Sequence, residues 1–447
     1  MNRFVPNCKT LRIRMLEEIG VNKVEDLFTH VPGQVRMKGL LNLPPAMSEM
    51  ELVREYTRLA NINTSHELVC FRGAGSYDHF IPAAVDSILT RSEFFTAYTP
   101  YQAEVSQGTL QAIFEYQTMI ARLCGTEAAN AGMYDGASAT AEAALMSMRV
   151  TGVDRVLVAG SLNPSYREVI ETYLVPGGFQ INEIPFGPDG LLDLDAARAL
   201  MQGGSASIIL QSPNYFGLVE NIARASEAAR AGNALLVVVA DPISLGVIQA
   251  PGELGADIVV GDGQPLGIPM GFGGPYAGFL ATSMAHLRKM PGRIIGRTED
   301  RAGNVGFVMT LQTREQHIRR EKATSNICTN QALMALANAV YLSLTGEAGF
   351  REIARQCYHK AHYLEAGLVK AGARRIFTAP FVREFALRLP GDAFELEARL
   401  VSAGFLPGLP VPGLGNDAML FAVTEKRTRE EMDAFIGAVS KACGEVR

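Results

Sequence analysis

The sequence predicts an α/β protein: a large domain with a mainly parallel sheet covered by helices, an N-terminal helical arm, and a small α+β C-terminal domain. Three observations carry this expectation. The chain has 447 residues, more than one hydrophobic core comfortably serves. After Gly108, short apolar runs alternate with amphipathic stretches, the pattern of strand and helix in turn. From about Gly346 the spacing changes to short strands separated by two further helices.

In chain order, Leu11, Met15, Ile19 and Val24 recur at helical spacing until Pro32 stops the pattern. A second short helix is expected over Glu51 to Leu59, followed by a loop from Phe71 to Tyr101 rich in glycine and aromatics. These make residues 1–108 an arm with interface loops. The large domain, residues 109–345, starts with a helix over Thr109 to Leu123 and another from about Ala139. Strands are expected at Arg155 to Ala159, Ser207 to Leu210, Ala234 to Ala240 and Ile258 to Val260, with helices such as Pro164 to Tyr173 and Ile222 to Ala231 between them. In residues 346–447 a helix reaches Ala371. Strands at Ile376 to Phe377, Phe385 to Arg388 and Met419 to Val423 then alternate with helices at Ala393 to Ser402 and Arg429 to Cys443.

Composition narrows the function. Hydrophobic residues make up 48% and charged residues 19%, an ordinary globular balance, and the formal charge of −5 supplies no basic field for a nucleic acid partner. The six cysteines are scattered without a CxxC pair, which speaks against a disulfide framework or a zinc site and for a reducing compartment. No secretory signal is legible at the start and no apolar run has the length of a membrane span. A cytoplasmic protein without membrane or nucleic acid partners is expected.

The order of features in the large domain points to pyridoxal phosphate chemistry. In Tyr134-Asp135-Gly136-Ala137-Ser138-Ala139, small residues open a helix and leave backbone N–H groups accessible at its positive end, a place that suits a phosphate. A plain helix cap by Asp135 or Ser138 accounts for the same residues equally well. Asp241 closes the strand run Leu235 to Ala240, where a carboxylate is placed to hold a protonated pyridine nitrogen, though capping the Asp-Pro-Ile turn explains it too. A glycine-rich loop, Met270-Gly271-Phe272-Gly273-Gly274-Pro275, comes next. The amine that should precede it is missing. No lysine occurs between Lys38 and Lys289, and neither glutamine nor arginine can form the Schiff base in its place.

Three long strings then carry a resemblance: Phe95 to Glu104 (FTAYTPYQAE), Leu311 to Thr329 (LQTREQHIRREKATSNICT) and Val423 to Thr428 (VTEKRT). Through them, and over essentially its full length, the chain resembles the P-proteins of the glycine cleavage system, in particular the alpha subunit of the two-chain form. The resemblance implies an aminotransferase-type fold (fold type I) and a division of labour. The catalytic half of such proteins carries His-Lys before its glycine-rich loop, whereas this chain has Asp262-Gly263-Gln264, with Gln264 at the lysine position. A homologous beta subunit would then bind the cofactor covalently, pairing with this chain in an α2β2 assembly. Glycine would be decarboxylated and its aminomethyl group passed to the lipoyl arm of the H-protein.

On this reading the chain contributes no catalytic residue of its own. Gly136, Ala137, Ser138, Asp241 and Gln264 form a degenerate cofactor site. Tyr77, Tyr98, Tyr101 and Gln102 are the candidates for walls of the partner's active site, or else aromatic packing of the interface. His317, Arg319, Arg320 and Lys322 form a basic cluster that fits a phosphate or the acidic H-protein, and equally a solvated helix face. His79 reads as a hydrogen-bonded structural histidine and Cys328 as a small packed hydrophobe. No metal site is expected.

Overall fold

The computed structural model describes residues 8–37, 39, 41–271, 273–312, 316–327 and 329–444; Phe272 and Cys328 lie outside them. The described chain divides into two compact units, residues 1–64 and 65–447.

The first unit holds helices Lys9–Ile19 and Glu49–Ala60. Ser48 caps the second through reciprocal bonds with Glu51. A single helix from Thr10 to Leu27 does not form: Gly20 adopts φ +83° and ends the first helix, and a 3₁₀ turn follows at Val24–Phe28. None of its described residues is buried.

The second unit is built on a seven-stranded sheet. Its strands are β1 (Ala128–Ala129), β2 (Arg155–Ala159), β3 (Gln180–Ile184), β4 (Ser207–Ser212), β5 (Leu235–Ala240), β6 (Ile258–Asp262) and β7 (Gly278–Thr282), in the spatial order β1-β7-β6-β5-β4-β2-β3. The pairs among β2 to β6 are parallel, and β7 runs antiparallel to both neighbours. β4, β5 and β6 are almost wholly buried, as strands covered on both faces must be. That burial is why their Val/Ile/Leu runs are so plain in the sequence. β3, with the run Gln-Ile-Asn-Glu-Ile, is an edge strand with exposed positions and shows no such run.

The helix expected from about Gly346 is present, and another helix precedes it. Ala332–Lys370 is helical throughout except at Gly346, whose φ of +56° and ψ of −176° separate two helices. The C-terminal sheet has the order Arg374–Arg375, Glu384–Arg388, Ala418–Ala422, Leu409–Pro410, and is covered by Ala393–Ser402 and Arg429–Gly444. The strand expected at Ile376 to Phe377 lies two residues earlier, at Arg374–Arg375. Among the described residues no helix is long and apolar enough to cross a membrane.

Parallel pairing aligns Ser212, Ala240 and Gly261 at the carboxyl ends of β4, β5 and β6. Asp241 and Asp262 therefore emerge side by side, at the edge of the sheet where ligands of this architecture gather.

Candidate functional site

The helix Gly136–Thr151 starts at this edge. Asp135 caps it, its Oδ1 accepting the Ser138 N–H at 2.7 Å while Ser138 Oγ accepts the Asp135 N–H at 3.2 Å. The Gly136 N–H donates to Asp262 Oδ2 at 2.9 Å, and Gln264 N–H to Asp262 Oδ1 at 2.8 Å. Two donors of the first turn, the Gly136 and Ser138 N–H groups, are thus engaged by carboxylates of the chain itself. A Cβ on Gly136 would fall 2.2 Å from the Tyr166 hydroxyl and 3.1 Å from Asp262 Cβ, which shows how closely these side chains fill the space before the helix. Burial pushes the Asp262 carboxyl up to about 6, against the pull of the backbone donors.

Asp241 is fully engaged as well. Arg383 Nη2 donates to Oδ1 and Ser244 Oγ to Oδ2, each at 2.5 Å. The Arg383 guanidinium lies 3.6 Å from the centroid of the Tyr77 ring, a cation–π stack. Arg383 Nη1 also donates to His79 Nε2, so the His79 proton sits on Nδ1 and is donated to Glu425 Oε2 at 2.6 Å. His79 is buried and neutral, with its basicity lowered by desolvation. Burial raises the Glu425 carboxyl, but the bonds from His79 and the Phe80 N–H outweigh it and hold it at about 2.

Gln264 is 1% exposed. Its Nε2 donates to the carbonyls of Tyr77 at 3.0 Å and Ile268 at 2.8 Å, and its Oε1 accepts the Tyr77 N–H at 2.9 Å. Tyr77 is itself buried, its hydroxyl donating to Glu384 Oε2 at 2.9 Å while the Ala74 N–H donates to Glu384 Oε1 at 2.6 Å. Burial pushes the Glu384 carboxyl up to about 7. Gly73 is needed for this close approach, because a Cβ there would lie 2.5 Å from both Ala422 Cβ and Glu384 Oε1.

The chain's own residues therefore do not fit pyridoxal phosphate at this edge. Asp262 and Tyr166 occupy the space at Gly136 before the helix, the Asp241 carboxylate is paired, and the amide of Gln264 is tied to backbone.

The remaining wall candidates form a second cluster. Tyr98 is 74% exposed and Tyr101 48%, and Gln102 is exposed beside them. Buried Arg293 donates to Thr99 Oγ1 and to the Tyr101 hydroxyl, each at 3.2 Å, and its guanidinium lies 5.5 Å from the Tyr101 ring centroid. His317 meets the same ring edge-on at 6.3 Å. A cavity of about 210 Å³ opens here, lined by Tyr98, Thr99, Ile113, Arg293 and Asn330 among others. Of the basic cluster, His317, Arg319, Arg320 and Lys322 are all exposed. The structure thus brings Tyr98, Tyr101 and His317 together and puts Tyr77 elsewhere, inside the first cluster.

Arg383, Glu384 and Arg293 escape a sequence reading because nothing near them in the chain marks them. Glu425 and its neighbours had a signal in the VTEKRT string. The structure shows its use: Thr424 Oγ1 donates to the Asp78 carbonyl, Lys426 and Arg427 pair with the Asp78 carboxylate at 2.6 and 3.2 Å, and Glu425 takes His79.

Comparison with known proteins agrees with this architecture. Solved structures of a Burkholderia pseudomallei sphingosine-1-phosphate lyase (16% identity, TM-score 0.67, covering 92% of this chain and 94% of that one) and a Thermus thermophilus aspartate aminotransferase (15%, TM-score 0.60, 85% and 100%) share the fold. A crystal structure of glycine decarboxylase (P-protein) of the glycine cleavage system, in inhibitor-bound form, superposes with a TM-score of 0.90 at 43% identity, covering 98% of this chain and 99% of that one. Probable glycine dehydrogenase (decarboxylating) subunit 1 of Chlorobium limicola is 49% identical over 439 residues, 98% of this chain and 99% of its own. That of Brevibacillus brevis is 48% identical over 448 residues, with the same coverage. The model of the glycine cleavage system P-protein matches residues 2–439, and the chain belongs to that family.

Proposed function

We propose that this chain is the lysine-free subunit of a glycine decarboxylase, acting with a homologous second chain that holds pyridoxal phosphate through its own lysine. The observation that carries this reading is Gln264: the position expected to supply the imine-forming amine holds an amide whose polar atoms are bonded to the backbone of Tyr77 and Ile268. The naming of the relatives as subunit 1 supports a second chain.

In the assembled enzyme, glycine is decarboxylated and its aminomethyl group passes to the lipoyl arm of the H-protein. The cofactor, when bound in the partner, supplies the electron sink for the carbanion left by CO2. This chain contributes surface. Tyr98, Tyr101 and Gln102, in a segment that Arg293 holds through Thr99 and Tyr101, form a wall of the partner's site, exclude water from it and orient the substrate. Each chain pairs with the other kind, as the two halves of an aminotransferase-type dimer do, and two such αβ pairs join in the α2β2 assembly.

Reconstitution tests the proposal. The purified chain alone should give no decarboxylation of labelled glycine and no cofactor adduct trapped by borohydride, and mixing with the second chain should restore activity. Decarboxylation by the isolated chain, or trapping at Lys289 or Lys322, would overturn it.

A further inference from the structure

Three separate parts of the chain converge on the edge where β5 and β6 end, and their charges match what a bound pyridoxal phosphate would present there. A helix N-terminus favours an anion, and the Gly136 N–H is met by Asp262 Oδ2 at 2.9 Å. A strand-end carboxylate favours a planar cationic N–H partner, and Asp241 Oδ1 is met by Arg383 Nη2 at 2.5 Å. A planar cation favours an aromatic face, and the guanidinium lies 3.6 Å from the Tyr77 ring centroid.

We propose that these side chains are a built-in surrogate for the cofactor, with Asp262 in place of the phosphate and Arg383 in place of the pyridinium, and that the surrogate rivets the C-terminal sheet to the large sheet. The inference rests on the reading that this chain holds no cofactor, and extends it from a missing lysine to a site that is filled and put to structural use.

The connections give the rivet its reach. Arg383 stands directly before the strand Glu384–Arg388 of the C-terminal sheet, whereas Asp241 follows β5. The loop carrying Tyr77, Asp78 and His79 lies between them and is bonded to both sides: to Gln264 on the large domain, and to Glu384, Thr424, Glu425 and Lys426 on the small one. Arg383 is 2% exposed and Gln264 1%, so the bonds that these two side chains make are shielded from water and salt. Charge is also accounted for. Arg383 faces ionised Asp241 and neutral His79, whose remaining proton goes to Glu425.

Two measurements on the full chain test the two halves of the inference. Gln264→Lys restores the amine. The variant, incubated with pyridoxal phosphate and reduced with borohydride, should incorporate no label at position 264, because the space and the partners are taken. Stoichiometric labelling there would overturn the surrogate, whereas labelling of the unmodified chain would overturn the lysine-free reading instead. Hydrogen exchange tests the rivet. Arg383→Met should speed exchange in residues 73–80 and 418–425 by about tenfold or more while β4 and β5 stay protected. The control Arg388→Met, which removes a half-exposed pair with Asp417 in the same sheet, should not. If Arg383→Met fails to fold, Asp241→Asn keeps the shape of the pocket and should give a smaller change in the same two segments. Unchanged exchange in both folded variants would overturn the rivet.

Discussion

Arg383 and Asp241, 142 residues apart in the chain, form a largely buried ion pair at 2.5 Å, with the guanidinium stacked on Tyr77 and bonded to His79. Removing one member leaves the other charge without its counter-ion, an arrangement that costs about 3–5 kcal/mol. Asp241→Ala is therefore expected to lower the denaturation free energy of the chain by that amount. A change below about 1 kcal/mol in urea unfolding would show that Arg383 finds another partner.

Glu384 sets a pH dependence whose sign follows from its position. Its folded carboxyl is raised to about 7 by burial, above the ordinary value, so the folded state keeps the proton that the unfolded chain releases. Its contribution to stability is complete below the unfolded value and is lost as pH rises through about 7. Glu384→Gln, which imitates the protonated form, should remove this loss. The difference in unfolding free energy between variant and parent should grow in the variant's favour between about pH 5 and about pH 7, on the order of 1–3 kcal/mol. A difference that is flat with pH would refute the buried neutral carboxyl.

Gly136 offers a steric test of the filled site. Gly136 is the first residue of its helix, and replacing glycine with alanine at a position whose backbone alanine can adopt ordinarily stabilises by about 0.4–1 kcal/mol. Here the new methyl would meet the Tyr166 hydroxyl at 2.2 Å. Gly136→Ala is expected to destabilise by about 1–3 kcal/mol, and adding Tyr166→Phe should recover part of the loss. Thermal melts of the two single variants and the double variant give the coupling directly; simple additivity would mean that the contact is not tight.

Tyr98 and Tyr101 separate wall from packing. Both are exposed in this chain, so Tyr98→Ala should change the chain's own stability by no more than about 0.5 kcal/mol. In the reconstituted enzyme the same change should lower kcat by about tenfold or more if the ring orients substrate, with assembly by sedimentation unchanged. Weakened assembly with kcat intact would assign the ring to the interface alone. Arg293→Met should act in the same direction by releasing Thr99 and Tyr101.

Much of the large sheet could be read in advance. The expected strand at Arg155 to Ala159 and the expected helix at Ile222 to Ala231 coincide with the observed elements, because full burial on both faces of a parallel sheet demands an unbroken apolar run and a helix between runs demands amphipathic spacing. β3 and the hairpin Ile294–Glu299 with Val305–Thr310 were not legible. β3 and Ile294–Glu299 mix polar with apolar residues and are partly exposed, and Val305–Thr310 is a short run broken by Gly306, so the local pattern does not separate them from loop.

The sequence by itself determined that no lysine lies between Lys38 and Lys289 and that Gln264 stands before the glycine-rich loop. An absent amine is a one-dimensional fact and needs no coordinates. Only the tertiary structure decided what takes its place, for a practical reason: Asp241, Asp262, Arg383, Glu425 and the loop of Tyr77 and His79 are brought together by the convergence of strand ends and by the return of the C-terminal sheet. A carboxylate's partner is set by distance in space, which spacing along the chain does not encode.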